Sequence, residues 1–167
     1  MPLLYLIGGA NGSGKTTSAL AVLPALGLTE YVNADAIAAG LSPLNPESMA
    51  MQAGRLMLER LRTLANSDSD FAFETTLAAR SFVPFLQQCK GKGYTISLLY
   101  FWLCNPDLAV ERLARRAASG GHSIPEEVIR RRYERGQRNL IDLYLPLCDE
   151  WFIFDNSDLI VSLWLRV

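Results

Sequence analysis

The chain has 167 residues, a length that fits one domain able to bury about two-thirds of its unfolded surface. Half of the residues are hydrophobic and a fifth are charged, which is typical of a globular domain. The formal net charge of −1 is unlike that of a generic nucleic-acid-binding protein, which is usually basic. We therefore expect a single domain over residues 1–167, with no nucleic-acid partner.

The cysteines and the apolar runs indicate the compartment. Cys89, Cys104 and Cys148 are odd in number and widely spaced, so they predict neither a disulfide framework nor a zinc site. Buried thiols in a reducing compartment are the simpler interpretation. The longest apolar run, Ile96 to Cys104, is shorter than the roughly 20 residues that a membrane helix needs. The N-terminal apolar run lacks a basic leader, so we expect a cytoplasmic protein without a membrane partner.

A phosphate-binding pattern begins near the N-terminus. Residues 3–7 predict a buried strand, residues 18–23 predict a helix, and the stretch between them matches G-x-x-x-x-G-K-[ST] from Gly9 to Thr16. Glycines let backbone N–H groups approach phosphate oxygens, and the helix N-terminus adds partial positive charge. Lys15 is predicted to reach the β- and γ-phosphates, and the Thr16 hydroxyl to ligate Mg²⁺. The predicted nucleotide-binding residues are Gly9, Ala10, Asn11, Gly12, Ser13, Gly14, Lys15, Thr16 and Thr17.

Strands and helices alternate along the rest of the chain, which predicts an α/β fold with a mainly parallel sheet of about five strands. The predicted strands lie at 3–7, 31–34, 71–73, 94–103 and 151–154, with a final edge strand at 159–165. The predicted helices lie at about 18–27, 46–65, 81–90, 105–119 and 125–145.

Acidic residues follow three of the predicted strands, and ligands bind beyond the carboxyl ends of parallel strands. Asp35 is predicted to be the general base that deprotonates an attacking hydroxyl, or the N-cap of a helical segment at 36–39. Glu74 is predicted to orient Mg²⁺ through water or to bind substrate hydroxyls, unless it is satisfied by neighbouring N–H groups. Asp155 favours a structural turn with the two residues that follow it.

Positive charge is concentrated in one segment of this nearly neutral chain. Eight of the 13 arginines lie between residues 111 and 138, where there are only four acids. Two predicted helices around a Gly-Gly-His hinge are typical of a lid, here at approximately 112–138, that closes over a polyphosphate. Pairs at i,i+4, Glu127 with Arg131 and Glu111 with Arg115, explain some of these arginines as solvated helix faces, but not all eight.

Guanidinium groups bind phosphate oxygens through two parallel hydrogen bonds, so we expect two to four of these arginines to be functional. Arg116 is predicted to act in catalysis together with Asp35 and Lys15. The alternatives for Arg80 and His122 are a solvated helix start and a polar loop residue without a role. Substrate binding is predicted for Glu74, Thr75, Arg80, His122, Arg132 and Arg135.

Elements that mark other nucleotide-binding classes are missing from the sequence. It has no Asn-Lys-x-Asp for guanine selection and no Leu-Ser-Gly-Gly-Gln of transporter ATPases. It also lacks the uninterrupted strand-forming run of four apolar residues that precedes Asp-Glu in motor ATPases. A small-molecule kinase fits best. The alternatives are an ATP-binding switch or ATPase that acts with a protein partner, and a chain that binds ATP without catalysis.

The chain resembles the zeta-toxin-like branch of P-loop kinases. The residues that carry the resemblance are Gly9–Thr17, Asn33–Asp35, 73–77, Gly93-Tyr94, Gly120–His122 with Pro125, 131–133 and 155–157. Zeta toxins are similar to nucleotide kinases in fold and phosphorylate UDP-N-acetylglucosamine with ATP. The resemblance therefore implies a P-loop NTPase and nucleotide-kinase-like three-layer fold, with ATP and Mg²⁺ as cofactors.

The resemblance also implies roles for individual residues. It implies that Asp35 is the base and that Lys15 and Thr16 bind ATP and Mg²⁺. It also implies that Glu74 faces the substrate and that lid residues bind the phosphates. The implied activity is that of an ATP-dependent kinase acting on a hydroxyl of a small acceptor such as a sugar nucleotide. The resemblance also implies that an antitoxin-like protein is a candidate partner.

Overall fold

A computed structural model describes residues 1–121, 123–158 and 162–166 of the chain. The predicted role of His122 and the start of the predicted edge strand, 159–161, lie outside the described residues. The described strands form one sheet in the order β2-β3-β1-β4-β5-β6. They are β1 (Leu3–Gly9), β2 (Tyr31–Val32), β3 (Phe71–Thr75), β4 (Thr95–Trp102), β5 (Glu150–Asp155) and β6 (Ser162–Arg166).

The first five strands are parallel, and β6 pairs with β5 in the antiparallel sense. The predicted mainly parallel sheet is therefore confirmed, with the antiparallel strand at its edge. The α-helices of the described residues are α1 (Lys15–Ala25), α2 (Ala34–Leu41), α3 (Ala50–Asn66), α4 (Phe82–Gly91), α5 (Pro106–Ala118) and α6 (Glu126–Asn139).

Helices cover both faces of the sheet. Successive side chains of β1 point to opposite faces, so β1 contributes to the buried cluster on each side. Leu4 and Leu6 belong to a buried cluster that α3 and α4 complete, for example with Leu61 and Leu86. Ile7 belongs to a cluster on the other face that α1 completes. This arrangement confirms the three-layer α/β fold and places the end of β1, with the phosphate loop, at the middle of the sheet.

Three predicted boundaries are wrong for local reasons. Strand β2 ends at Val32, because the Asn33 side chain accepts hydrogen bonds from the N–H groups of Asp35 and Ala36 and starts α2 there. Asn33, and not Asp35, is therefore the N-cap of this helix. The predicted helix at 46–65 begins as a 3₁₀ turn, and the helix predicted to reach residue 145 leaves α geometry after Asn139.

The cysteines agree with the sequence in part. All three are free thiols, and Cys89 is buried, but Cys104 is exposed, so the expectation of buried thiols is wrong for that residue. Over the described part of the chain, none of the helices has the length and apolar character required to cross a membrane.

Candidate active site

The phosphate loop has a backbone that only glycine tolerates at two close contacts. A Cβ atom on Gly9 would lie 2.5 Å from the Phe101 carbonyl oxygen, and Gly9 has a φ of +147°. A Cβ atom on Gly14 would lie 2.4 Å from the Asn156 side-chain nitrogen, and Gly14 has a φ of +84°. Both conformations are strained for any residue with a side chain. The glycines therefore keep the loop backbone bare at the start of α1.

The loop carries buried polar atoms that lack partners. The Asn11 Oδ1 and Ser13 Oγ atoms are buried without a hydrogen-bond partner among the described residues. Polar atoms in such positions cost free energy unless a ligand or solvent satisfies them. Asn11 Oδ1 only accepts hydrogen bonds, as phosphate oxygens do, so the fit of the loop to a nucleotide triphosphate rests on the N–H groups of its bare glycine backbone.

A cavity of about 380 Å³ opens beside the loop, at the carboxyl ends of the parallel strands. It brings together residues that lie far apart in the sequence, as expected for the ligand edge of such a sheet. The predicted site residues that line it are Asn11, Gly12, Gly14, Lys15, Thr16, Thr17, Asp35, Glu74, Thr75, Arg116 and Arg132.

Lys15 lies at the centre of this cavity and is only 6% exposed. Its ammonium group donates a 2.7 Å hydrogen bond to the Ala10 carbonyl oxygen and lies 3.9 Å from a Glu74 oxygen. Burial lowers the pKa of Lys15, the charges of Glu74 and Asp35 oppose that shift, and the charge of Arg116 adds to it. The side chains of Asp35 and Arg116 thus lie within electrostatic reach of Lys15, on the same edge of the sheet.

Glu74, at the end of β3, connects the phosphate loop to β2. Its carboxylate accepts hydrogen bonds from the Thr16 hydroxyl at 2.8 Å, the Tyr31 phenol at 2.5 Å and the Asn33 amide at 3.1 Å. Burial and the Glu74 carboxylate raise the pKa of Tyr31, so this phenol remains a proton donor. The alternative of backbone N–H partners is wrong, because Glu74 is held by side chains. The Thr16 hydroxyl predicted to ligate Mg²⁺ lies directly against a carboxylate.

Asp35 lies in the first turn of α2, where the Asn33 cap fixes its backbone. The residue is exposed, and its carboxylate accepts no hydrogen bond from the described residues. Asp35 borders both the main cavity and an adjoining cleft of about 590 Å³ between α2, residues 46–50 and the start of α6. A carboxylate without partners at the junction of two cavities is able to accept a proton from a bound hydroxyl.

The arginines of α5 and α6 do not all lie at the same site. Arg116 and Arg132 line the main cavity and the adjoining cleft. Arg115 pairs with Glu111 as predicted, but the predicted pair of Glu127 with Arg131 is wrong for the described residues. Arg130 takes its place and contacts Asp107 at 2.6 Å and Glu126 at 2.7 Å, which ties α5 to α6.

Two predicted substrate-binding residues lie elsewhere. Arg80 and Arg135 do not border the main cavity; they line a separate cavity of about 440 Å³ together with Arg138. Three predicted loop residues, Gly9, Ala10 and Ser13, do not face the main cavity either. They serve the loop itself, since Ser13 is fully buried and the Ala10 carbonyl holds Lys15.

Two supports of the phosphate loop were not predicted. Arg112 donates hydrogen bonds to the carbonyl oxygens of Gly12 at 3.4 Å and Ser157 at 3.1 Å. Asn156 donates a 2.7 Å hydrogen bond to the Ser13 carbonyl oxygen. The predicted Asp155 turn is confirmed, because its carboxylate accepts hydrogen bonds from the Ser157 N–H and hydroxyl. This turn after β5 therefore braces the loop, a task that the motif 155–157 alone did not reveal.

Comparison with known proteins supports the same fold. The AAA domain family, AAA_33, matches residues 4–139. An uncharacterized protein of Haemophilus influenzae is 29% identical over 125 residues, which is 75% of this chain and 88% of that protein. The family match spans the phosphate loop, β3 and both arginine-rich helices.

Two solved structures share the architecture of this chain over most of its length. A structure of the PezAT chromosomal toxin–antitoxin system of Streptococcus pneumoniae has a TM-score of 0.74 at 18% identity, over 99% of this chain and 72% of that one. A shikimate kinase from Acinetobacter baumannii has a TM-score of 0.54 at 18% identity, over 90% and 82% of the two chains. The predicted resemblance to zeta-toxin-like P-loop kinases is thereby confirmed for the fold.

Proposed function

This chain belongs to the AAA domain family AAA_33, and on that premise we propose that it is an ATP-dependent kinase of a small hydroxyl-bearing acceptor. The observation that carries the proposal is the unpartnered carboxylate of Asp35 in the cavity that holds Lys15. A phosphotransferase needs both a base for the acceptor and positive charge for the phosphates. Arg116 and Arg132 supply further charge at the same cavity.

In this proposal the phosphate loop binds the triphosphate of ATP through its backbone N–H groups and Lys15. The Thr16 hydroxyl and the Glu74 carboxylate, 2.8 Å apart, would hold Mg²⁺ together with the phosphates. When bound, Mg²⁺ neutralises charge on the phosphate oxygens. Among the described residues no group of three or more acids, histidines or cysteines forms a metal site by itself. In this proposal the phosphate oxygens of the nucleotide would complete the coordination.

The chemical step uses the residues around Asp35. The carboxylate takes the proton of the acceptor hydroxyl as its oxygen forms a bond to the γ-phosphorus, and the bond from that phosphorus to the β–γ bridging oxygen breaks. The charge that develops on the transferring group and on the ADP leaving group is stabilised by Lys15, Arg116 and Arg132. The products are the phosphorylated acceptor and ADP.

The acceptor is proposed to occupy the cleft of about 590 Å³ next to the main cavity. The two cavities share Asp35, Arg116 and Arg132, so an acceptor there presents its hydroxyl where base and phosphate meet. Alanines and prolines make up much of the cleft wall, which suits a sugar ring or a base. A sugar nucleotide, the substrate class implied by the resemblance to zeta toxins, combines these features with a hydroxyl.

A protein partner is a second part of the proposal. The S. pneumoniae structure similar to this chain is that of a toxin–antitoxin system. An antitoxin-like protein that covers the nucleotide cavity would block the kinase, and it would be detected as a stoichiometric inhibitor of ATP binding. ATP hydrolysis stimulated by a partner, without a phosphorylated acceptor, would instead favour the switch alternative.

The direct test is mass spectrometry of a metabolite mixture incubated with ATP, Mg²⁺ and the protein. We expect one metabolite to gain a single phosphate, and we expect the Asp35→Ala variant not to produce it. UDP-N-acetylglucosamine is the first pure acceptor to assay. ATP consumption with no phosphorylated product in any fraction would contradict the proposal.

A further inference from the structure

We propose that the separate cavity formed by Arg80, Arg135 and Arg138 binds a phosphate group of the acceptor. The part that concerns the acceptor rests on the proposed kinase function, whereas the anion site itself does not. The cavity has a volume of about 440 Å³ and is completed by Ala78 and Asn139. Its lining contains no acidic residue.

The three arginines are exposed and have no partner, a property that they share, among the described residues, with Arg62, Arg116, Arg131 and Arg132. Within the described residues, none of their guanidinium groups forms a hydrogen bond or an ion pair. By contrast, Arg60 and Arg130 are paired with carboxylates at 2.6 Å. Three cations that share one cavity repel one another, so an anion with several oxygens lowers the electrostatic energy of this arrangement.

The cavity is built on a fixed connection between α6 and the loop after β3. Asn139, which is 4% exposed, donates hydrogen bonds of 2.8 Å and 3.2 Å to the carbonyl oxygens of Leu77 and Ala78. Tyr144 donates a hydrogen bond to the Ala79 carbonyl oxygen. Leu77 adopts a φ of +60°, a strained value for a leucine that these contacts maintain. Arg80 is therefore presented next to the helix that carries the other two arginines.

The position of the cavity relates it to the acceptor. Arg132 lines the main cavity, while Arg135 and Arg138 follow it on α6 by ~4.5 Å and ~9 Å along the helix axis, at ~1.5 Å per residue. The loop after β3 shows the same order, with Thr75 on the main cavity and Arg80 on the second one. In this proposal, an acceptor whose hydroxyl is at Asp35 extends past Arg132 along α6 and places its phosphate on the second cavity.

The chemistry of the lining favours phosphate over other groups. Guanidinium groups form paired hydrogen bonds with phosphate oxygens, and the absence of acids in the lining disfavours a cation. The whole chain has a net charge of −1, so this cluster does not follow from general basicity. Two sources remain for the phosphate, the acceptor itself and free inorganic phosphate acting as an effector, and the experiment separates them.

The binding arm uses inorganic pyrophosphate as the probe. The protein is first saturated with Mg²⁺ and a non-hydrolysable ATP analogue, and pyrophosphate is then titrated in a calorimeter. We expect a binding event that is weakened at least about tenfold by the Arg80→Gln/Arg135→Gln double variant, because each replacement removes a charge-assisted hydrogen bond. The control is the Arg62→Gln variant, because Arg62 is an exposed arginine of α3 that does not line either cavity. This variant should bind pyrophosphate like the wild type.

The catalytic arm compares an acceptor that carries phosphate with one that does not, UDP-N-acetylglucosamine and N-acetylglucosamine. We expect Arg135→Gln to raise KM at least about tenfold for the nucleotide-linked acceptor, with little change in kcat and no change in KM for the free sugar. Arg135→Lys keeps the charge but not the two-pronged geometry, and should give an intermediate KM.

The outcomes separate the two proposals. No pyrophosphate binding by the nucleotide-loaded wild type, or equal binding by the double variant, would overturn the anion site even if phosphoryl transfer occurs. Loss of binding in the double variant with unchanged KM values would overturn the acceptor role and leave a site for free phosphate. Absence of phosphoryl transfer to any metabolite would overturn the kinase function, while the titration still decides the anion site.

Discussion

The Thr16 hydroxyl donates a hydrogen bond of 2.8 Å to the carboxylate of Glu74, and so joins the start of α1 to the end of β3. The same carboxylate accepts from Tyr31 and Asn33, which extends the connection to β2 and the cap of α2. Asp35 stands two residues beyond that cap. The geometry of the proposed base therefore depends on Glu74, although Asp35 belongs to α2 and Glu74 to β3.

Replacing Glu74 by Gln should preserve the fold and impair the reaction. The amide keeps the size of the side chain but removes the negative charge between Lys15 and Thr16, so we expect kcat to fall roughly 10- to 100-fold. Steady-state kinetics and thermal unfolding measure the two effects. Tyr31→Phe removes one hydrogen-bond donor to Glu74 and should lower kcat less than Glu74→Gln does. A loss of kcat as large as that of Glu74→Gln would show that the phenol does more than donate to Glu74.

Gly14→Ala should disable nucleotide binding. The new Cβ atom would lie 2.4 Å from the Asn156 nitrogen that supports the loop, at a φ of +84°. We expect nucleotide affinity, measured by calorimetry, to fall at least about tenfold, since strain of this kind costs on the order of 1–3 kcal/mol.

Gly27→Ala is the matched control for that variant. Gly27 has a similar φ of +73°, but a Cβ atom there meets no atom within 4 Å. It should lower stability through backbone strain by ~1 kcal/mol and leave nucleotide affinity unchanged. Equal losses of affinity in both variants would mean that the contact with Asn156 is unimportant.

The phosphate loop was predictable because its motif lies within eight consecutive residues of the sequence. The alternation of strands and helices is also a local pattern, and it predicted that Asp35 and Glu74 lie at one edge of the sheet. The supports of the loop were not predictable, since Arg112 contacts Gly12 across 100 residues and Asn156 contacts Ser13 across 143. Residue type alone does not indicate such contacts.

The arginines of α6 show the same limit. The composition of the segment predicted that it binds phosphate. It did not predict which cavity each guanidinium group lines, because that depends on how α6 is rotated and where it lies against the loop after β3. Arg132 lies at the main cavity, and Arg135, three residues later, at the second one. Likewise, the choice of Asn33 over Asp35 as cap required the backbone direction at the end of β2.

Gly136→Ala should push α6 away from the loop after β3. A Cβ atom on Gly136 would lie 2.5 Å from the Thr76 carbonyl oxygen, which is backbone and cannot swing aside. We expect a loss of stability of about 1–3 kcal/mol together with reduced kcat, because the loop positions Thr75 and the helix positions Arg132. Chemical denaturation and kinetics measure both.

Gly54→Ala gives the comparison for a helical glycine without that contact. Gly54 lies inside α3, and a Cβ atom there meets nothing within 4 Å. The substitution should stabilise the protein by roughly 0.5–1 kcal/mol through helix propensity. A destabilised Gly54→Ala variant, or a stabilised Gly136→Ala variant, would contradict the packing described for the two helices.

The thiols should react at very different rates in the folded protein. Burial raises the pKa of Cys89 to about 11, and burial with the Asp149 charge raises the pKa of Cys148 to about 12. At pH 8 both groups are therefore protonated and unreactive, whereas Cys104 is exposed. Titration with a chromogenic disulfide should give one fast thiol in the native state and three after denaturation. Fast reaction of all three thiols without denaturant would contradict the burial of Cys89.

The central claim is that Asp35 is the base of a kinase, and the Asp35→Ala variant tests it when phosphoryl transfer and ATP binding are measured on the same sample. The carboxylate acts on the acceptor hydroxyl and does not belong to the phosphate loop, so the two quantities should separate. We predict that transfer falls by about 10²- to 10⁴-fold while ATP affinity stays within about threefold of the wild type. Unchanged phosphoryl transfer in this variant would contradict the account.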